Sequence, residues 1–314
     1  MKSINRFKYS NDNKRYHTFN YYLRNKYNSK VFKISLNANF TCPNRDGKVG
    51  VGGCTFCSSL GSGEYAGNIN EDLVKQFDNI KDMMHQKWSD GKYIVYFQAY
   101  TNTYAPINIL KEIYEPFIEK DNVVALAIAT RPDCLDDEII KYLNSLTEKL
   151  DIWIELGLQT TYDKTANNFN RGYDYTIFKQ TIEKLGKTNL KVCVHLINGL
   201  PEETKEMMIN NVKVINLLPI DAIKIHMLHL VNDSQMGRDY SKKPWKLLNL
   251  EEYVEVVATQ LRYLRPEIII QRLTGDAKKD NLIAPLWTLN KTNVLNGIDK
   301  YMVEHSYQQG DLHE

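Results

Sequence analysis

Short runs rich in valine, isoleucine and aromatic residues recur along the chain at 31–40, 93–100, 123–130, 152–160, 190–198 and 222–231. Runs such as VVALAIAT (123–130) and KVCVHLI (191–197) are almost continuously apolar. That is the pattern of strands covered on both faces, so a parallel sheet flanked by helices is predicted rather than alternating hairpins. Between them, at 106–120, 135–150, 175–188 and 202–217, apolar residues recur three and four apart, the helical period.

From the second run onward the strand starts lie roughly 30 to 40 residues apart, the length of a βαβ unit. The first interval is longer because a cysteine-bearing loop sits inside it. Six units predict an α/β fold, a partial (β/α)6 TIM-like barrel, with ligands at the carboxyl ends of the strands. Beyond 231 the pattern changes. Asn249, with Glu252 three residues on, is a capping-box signal opening an amphipathic run over 250–264. A seventh apolar run at 267–271 and a helical tail over 292–307 follow, to close the barrel or form a small lid. The expected division is an arm over 1–30, a barrel over 31–231 with its cysteine loop at 42–57, and a small, largely helical extension over 232–314.

Composition adds charge asymmetry. The 314 residues carry a net charge of only +2, yet residues 1–33 hold nine lysines and arginines against one acid, Asp12. The same stretch contains eight aromatics: Phe7, Tyr9, Tyr16, Phe19, Tyr21, Tyr22, Tyr27 and Phe32. Cations for phosphates interleaved with rings for unstacked bases are the equipment of a protein that meets looped RNA; packing of the arm on the barrel is the alternative. No apolar run approaches the ~20 residues that span a bilayer, and the amino terminus has no apolar stretch of a secretory signal. A cytoplasmic protein with no membrane partner is expected.

Five cysteines, three of them within sixteen residues, do not form a disulfide framework. The segment CPNRDGKVGVGGCTFC places Cys42, Cys54 and Cys57 as Cys-x11-Cys-x2-Cys, with Gly47, Gly50, Gly52 and Gly53 between. Three thiolates can take three corners of an iron–sulfur cube and leave one iron open. Structural zinc would need a fourth ligand, from His85, Cys134 or Cys193. Spacing alone leaves both open.

The run KISLNANFTCPNRDGKVGVGGCTFCS resembles the cluster loop of radical S-adenosylmethionine (SAM) proteins of the YhcC/YtqA type, related to the Elongator catalytic subunit. The resemblance continues through ATRPD (129–133), ELGLQT (155–160), NRGYDY (170–175), VHLINGLPEET (194–204) and QRLTGDAKKDNLIAPLWTLNKTNVLNGI (271–298). It implies a barrel of the radical SAM type. It further implies a [4Fe-4S] cluster on Cys42, Cys54 and Cys57, with SAM on the fourth iron cleaved to a 5′-deoxyadenosyl radical. Phe56 matches the aromatic beside the adenine, and Gln159 and Arg171 resemble the pair that holds SAM. Where relatives carry a Gly-Gly-Glu turn this chain has YFQAYTNTY, so Gln98, Thr101 and Thr130 become candidates for the SAM amino group, with Asn102 nearby. His195 stands where related motifs often have Asp, which puts an acidic ribose contact in doubt.

His226 and His229 are candidate proton donors or substrate contacts, whereas Cys193 reads as a small buried hydrophobe and Cys134 is left outside the site. The resemblance implies tRNA as partner, conversion of carboxymethylaminomethyl-uridine to aminomethyl-uridine at the wobble position, and an external electron donor of the flavodoxin or ferredoxin type. A radical SAM enzyme with a small-molecule substrate, and a zinc-containing RNA-binding module without activity, are the alternatives. Oligomeric state is not legible.

Overall fold

A computed structural model describes residues 7–88 and 90–313. The six leading apolar runs become β1 (Val31–Leu36), β2 (Lys92–Phe97), β3 (Val123–Thr130), β4 (Asp151–Gln159), β5 (Lys191–Asn198) and β6 (Ala222–Met227). A short β7 (Leu230–Val231) pairs antiparallel with β9 (Leu282–Ala284), away from the main sheet. The seventh run supplies β8 (Ile269–Arg272), which joins β6 in parallel. The sheet runs β1-β2-β3-β4-β5-β6-β8, a curled half-barrel of seven strands where the βα repeat predicts six.

The helices are α1 (Phe19–Tyr27), α2 (Leu73–His85), α3 (Ile107–Tyr114), α4 (Asp137–Ser145), α5 (Asp163–Asn168), α6 (Tyr175–Leu185), α7 (Lys205–Asn216), α8 (Gln235–Lys242), α9 (Leu250–Tyr263) and α10 (Lys291–Glu304). Many start at a short polar side chain that accepts a backbone N–H of the first turn, as Thr18, Asp72, Asp136, Thr204 and Ser234 do. Asn249 and Glu252 form the capping box their spacing predicts. Four helices, α1 in the arm, α2 inside the first interval, and the short α5 and α8, fall outside the stretches whose periodicity predicts a helix. Among the described residues, no helix is long and apolar enough to cross a membrane.

Strand alternation sorts the side chains. Ile34, Leu36, Val95, Phe97, Leu126, Ile128, Ile154 and Leu156 belong to the outer core, to which Tyr253, Leu261, Val294 and Ile298 of α9 and α10 also belong. Residues at the alternate positions, Ile94, Ala125, Trp153, Cys193, Ala222 and Ile269, face inward and form a second core with Leu23 of α1. Phe19 and Tyr22 meet the Trp153 ring edge-on at 5.7 and 5.9 Å. Lys26 pairs with Asp151, the first residue of β4, at 2.5 Å, and α1 packs against both β1 and β8. The arm therefore seals the amino-terminal end of the open barrel.

The structure shows the arm packed on the barrel, the alternative to a display of rings for bases. Of the eight aromatics Phe7 and Tyr16 are buried and the other six half-buried, and Phe19, Tyr22 and Tyr27 pack on the inner core, where the alanines of the strands leave room for rings. Lys14 and Lys33 are likewise engaged, with Asp299 and Glu155. Lys2 and Arg6 lie outside the described residues.

Candidate functional site

A cavity of about 570 Å³ opens at the carboxyl ends of the strands. Cys42, Cys54, Cys57, Phe56, Gln98, Thr130, Gln159 and Arg171 all border it, as do Thr101, His195, His226 and His229. Among the described residues, Asn102, Cys134 and Cys193 do not.

The cysteine loop is stitched by backbone bonds. Cys42 O accepts from Arg45 N at 2.8 Å, and Cys54 O from Cys57 N at 3.0 Å. Gly52 and Gly53, both at φ +82°, allow the turn that brings the second and third cysteines back. Asn44 donates to Asn170 O at 2.6 Å, Asn170 donates to Gly53 O at 2.9 Å, and Thr55 N donates to Phe169 O at 2.9 Å. The loop is thus tied to the NRGYDY segment, more than a hundred residues away. A Cβ on Gly172, itself at φ +80°, would stand 2.7 Å from Asn44 Oδ1, so only glycine admits this contact.

The donor set fits a three-thiolate cluster. A hydrogen bond from Cys57 lowers the Cys54 thiol pKa despite burial, and Arg131 beside it acts in the same direction. Its hydrogen bond to Cys54 and burial push the Cys57 thiol well up, and Arg45, whose guanidinium donates to Ser58 O at 2.5 Å, acts against that shift. Two guanidiniums beside thiolates suit an anionic cluster. Burial pushes the Cys134 thiol up to about 12. Among the described residues, no three His, Cys, Asp or Glu groups converge closely enough to hold one metal ion, whereas the three thiolates of an iron–sulfur cube each bind a different iron.

Phe56 packs edge-on against Phe169 at 5.3 Å. Gln98 Nε2 donates to Ser62 O at 2.6 Å, and the Thr130 and Thr103 hydroxyls share a bond of 2.6 Å. Gln159 sits at φ +65° on a bulge at the end of β4, a conformation rare outside glycine and typical of functional positions. A Cβ on Gly157 would lie 2.6 Å from the Gln159 amide nitrogen, so Gly157 makes room for that side chain.

Arg171 differs from the free fork that the resemblance implies. It is 1% exposed, and four of its five N–H donors reach Tyr173 O (2.9 Å), Leu158 O (2.9 Å), Thr160 O (2.7 Å) and Asp163 Oδ1 (2.9 Å). Its guanidinium braces the β4 end that carries Gln159. Arg131 borders the same cavity, held as a bidentate pair with Asp133 at 2.9 and 2.8 Å.

Deeper in the barrel lies a charged layer that the sequence reading passes over. Glu155, its side chain fully buried, contacts Lys33 at 3.1 Å, His195 Nε2 at 3.1 Å and Lys224. Burial pushes its carboxyl upward, but Lys224, Lys33 and His195 together hold it well below the usual carboxylate range. Tyr96 lies between the lysines, with Lys33 Nζ 4.4 Å and Lys224 Nζ 4.7 Å from its ring centre. The signal is a charged or imidazole side chain at an inward position within the apolar runs of β1, β4, β5 and β6.

Burial lowers His195, His226 and His229, aided by Lys224 at His195 and by Lys291 at His229; His195 and His229 fall to about 4. All three are neutral near pH 7, which suits hydrogen bonding better than proton donation. The unfolded chain takes up these protons first, near pH 6.5. Stability is therefore expected to fall progressively as pH drops from 6.5 towards about 4, with a shallower decline in His195→Gln. Melting curves across that interval check this, and equal slopes in the two proteins would remove the assignment of a buried neutral His195.

The Radical SAM superfamily model matches residues 42–215, and the Radical_SAM C-terminal domain model matches residues 220–304. YtqA of Bacillus subtilis is 47% identical over 310 residues, covering 99% of this chain and 96% of that protein. The tRNA uridine(34) acetyltransferase of Methanocaldococcus jannaschii is 25% identical over 185 residues, 58% of this chain and 33% of that protein. Among solved structures, the archaeal Elp3 of Methanocaldococcus infernus with an N-terminus deletion superimposes with a TM-score of 0.65 over 90% of this chain at 18% identity. This chain spans 64% of that structure, a likeness of fold.

Proposed function

The chain belongs to the radical SAM superfamily, and from that premise we propose that it modifies tRNA, converting carboxymethylaminomethyl-uridine at the wobble position to aminomethyl-uridine. Members of this superfamily are enzymes that use a [4Fe-4S] cluster and SAM. In this reading Cys42, Cys54 and Cys57 hold three irons, Phe56 covers the adenine, and Gln98, Thr130 and Gln159 bind the polar parts of SAM. Arg171 keeps Gln159 in place from behind. When bound, cluster and SAM supply a 5′-deoxyadenosyl radical for hydrogen abstraction. An external one-electron donor of the flavodoxin or ferredoxin class belongs to the same reading.

One observation carries the assignment of these residues: all eight, drawn from five separate stretches of sequence, border a single cavity. Support for tRNA comes from the M. jannaschii relative, a tRNA uridine(34) acetyltransferase. Mass spectrometry of tRNA nucleosides with and without the gene tests the substrate. Loss of the gene is expected to raise carboxymethylaminomethyl-uridine at the expense of aminomethyl-uridine; unchanged wobble uridines would remove the tRNA reading. The packing of Phe19, Tyr22 and Tyr27 of the arm on the inner core favours, as a second reading, a small molecule held wholly within the barrel.

A further inference from the structure

The floor of the cavity carries more positive charge than the protein compensates. Glu155 is shared by Lys33 and Lys224, and Asp276 is shared by Arg272, at 2.8 Å, and Lys291. Two carboxylates therefore serve four cations, of which Lys33, Lys224 and Arg272 border the cavity. The neighbouring imidazoles of His195 and His226 are uncharged near neutral pH, which leaves that balance unaltered.

The arginines near the cysteines are placed differently: Arg131 has Asp133 to itself and Arg171 has Asp163. With those two arginines balanced by their own carboxylates, the cavity lining leaves Lys33, Lys224, Arg272 and Arg45 against Glu155, Asp276 and Glu64. An ammonium buried without its own counter-charge has lost its hydration and is poorly compensated. Lys224, 5% exposed, registers that loss: burial lowers its pKa to about 8 against the pull of Glu155. An incoming anion relieves it.

We infer that Lys33 and Lys224, with Arg272 beside them, form a carboxylate-binding subsite on the barrel floor. The inference rests on the reading that a substrate enters this cavity, and it deepens that reading by requiring an acidic group on the reacting substituent. Depth selects carboxylate over backbone phosphate. Glu155 precedes Gln159 by four residues, roughly 13 Å of strand below the rim, where a substituent on an everted base reaches and a sugar–phosphate backbone does not. Tyr96, between the two lysines, gives the pocket an aromatic wall.

The test measures binding by the anaerobic holoprotein with SAM, using anticodon stem-loops whose wobble uridine carries either the carboxymethylaminomethyl group or its methyl ester. The wild-type protein is expected to prefer the acid at least tenfold, and Lys224→Met and Lys33→Met to lose most of that preference. If Lys224→Met fails to fold, the double variant Glu155→Gln/Lys224→Met removes the ion pair as a unit and is expected to lose the preference too. Equal affinity of the wild-type protein for acid and ester overturns the subsite, as does competition by inorganic phosphate beyond that of chloride at equal ionic strength.

Turnover is scored separately. Acid preference without conversion keeps the subsite and removes the wobble-uridine reaction, whereas conversion without preference does the reverse. Should neither stem-loop bind, the comparison is made with N-methylglycine and its methyl ester, followed by the ring resonances of His195. A shift produced by the acid alone supports the subsite, and no shift overturns it.

Discussion

Cys54→Ala is expected to leave the anaerobically reconstituted protein colourless, poor in iron and sulfide, and without 5′-deoxyadenosine above background. The reason is the absence of a spare ligand. Only Cys42, Cys54 and Cys57 border the cavity among the described cysteines. Cys134 and Cys193 lie off it, and burial raises both thiols, the former to about 12. Two thiolates cannot hold a cube that needs three from the protein. Cys193→Ala is the control: it removes a fully buried sulfur from the inner core and is expected to keep its cluster. Metal analysis of both variants decides the matter, and a full complement of iron in Cys54→Ala would sink the assignment. Tight zinc binding by the wild-type protein, with no cluster formed, would revive the zinc-containing RNA-binding module.

The second large effect is on stability. Glu155→Gln keeps the shape of the side chain but leaves Lys33 and Lys224 facing each other without a counter-charge, and Lys224 is 5% exposed. Removing one member of a buried ion pair typically costs about 3–5 kcal/mol. A loss of that size is expected in chemical denaturation. Lys224→Met added to Glu155→Gln is expected to recover part of it, because the ammonium that lost its partner is gone. A Glu155→Gln protein as stable as wild type would mean that water or the ring of Tyr96 already screens the lysines, and the charged floor would lose its physical basis.

That floor marks the boundary of what the linear pattern conveys. IWIELGLQ, KVCVHLIN and AIKIHM read as apolar runs, and their apolar majority does place them as β4, β5 and β6. Glu155, His195 and Lys224 stand in those runs at alternating positions, which marks one polar face. Pairing them takes the curl of the sheet, which brings β1, β4, β5 and β6 round to face one another. Arg171 teaches the same lesson in reverse. Its motif resembles a SAM-holding pair, but whether a guanidinium is free depends on which carbonyls surround it, and here Leu158 O, Thr160 O and Tyr173 O do.

The sequence by itself determined the βα repeat, the three-cysteine loop and its neighbours, because strand burial and thiolate ligation depend on residue type at short spacing. Tertiary structure decided the packing of the arm, whose rings are as suited to a barrel floor as to RNA bases, and the seventh strand, whose place depends on an edge left open by β6. It also decided the charge balance of the cavity. Counter-charges are assigned by distances between strands far apart in the chain, and no local pattern encodes those.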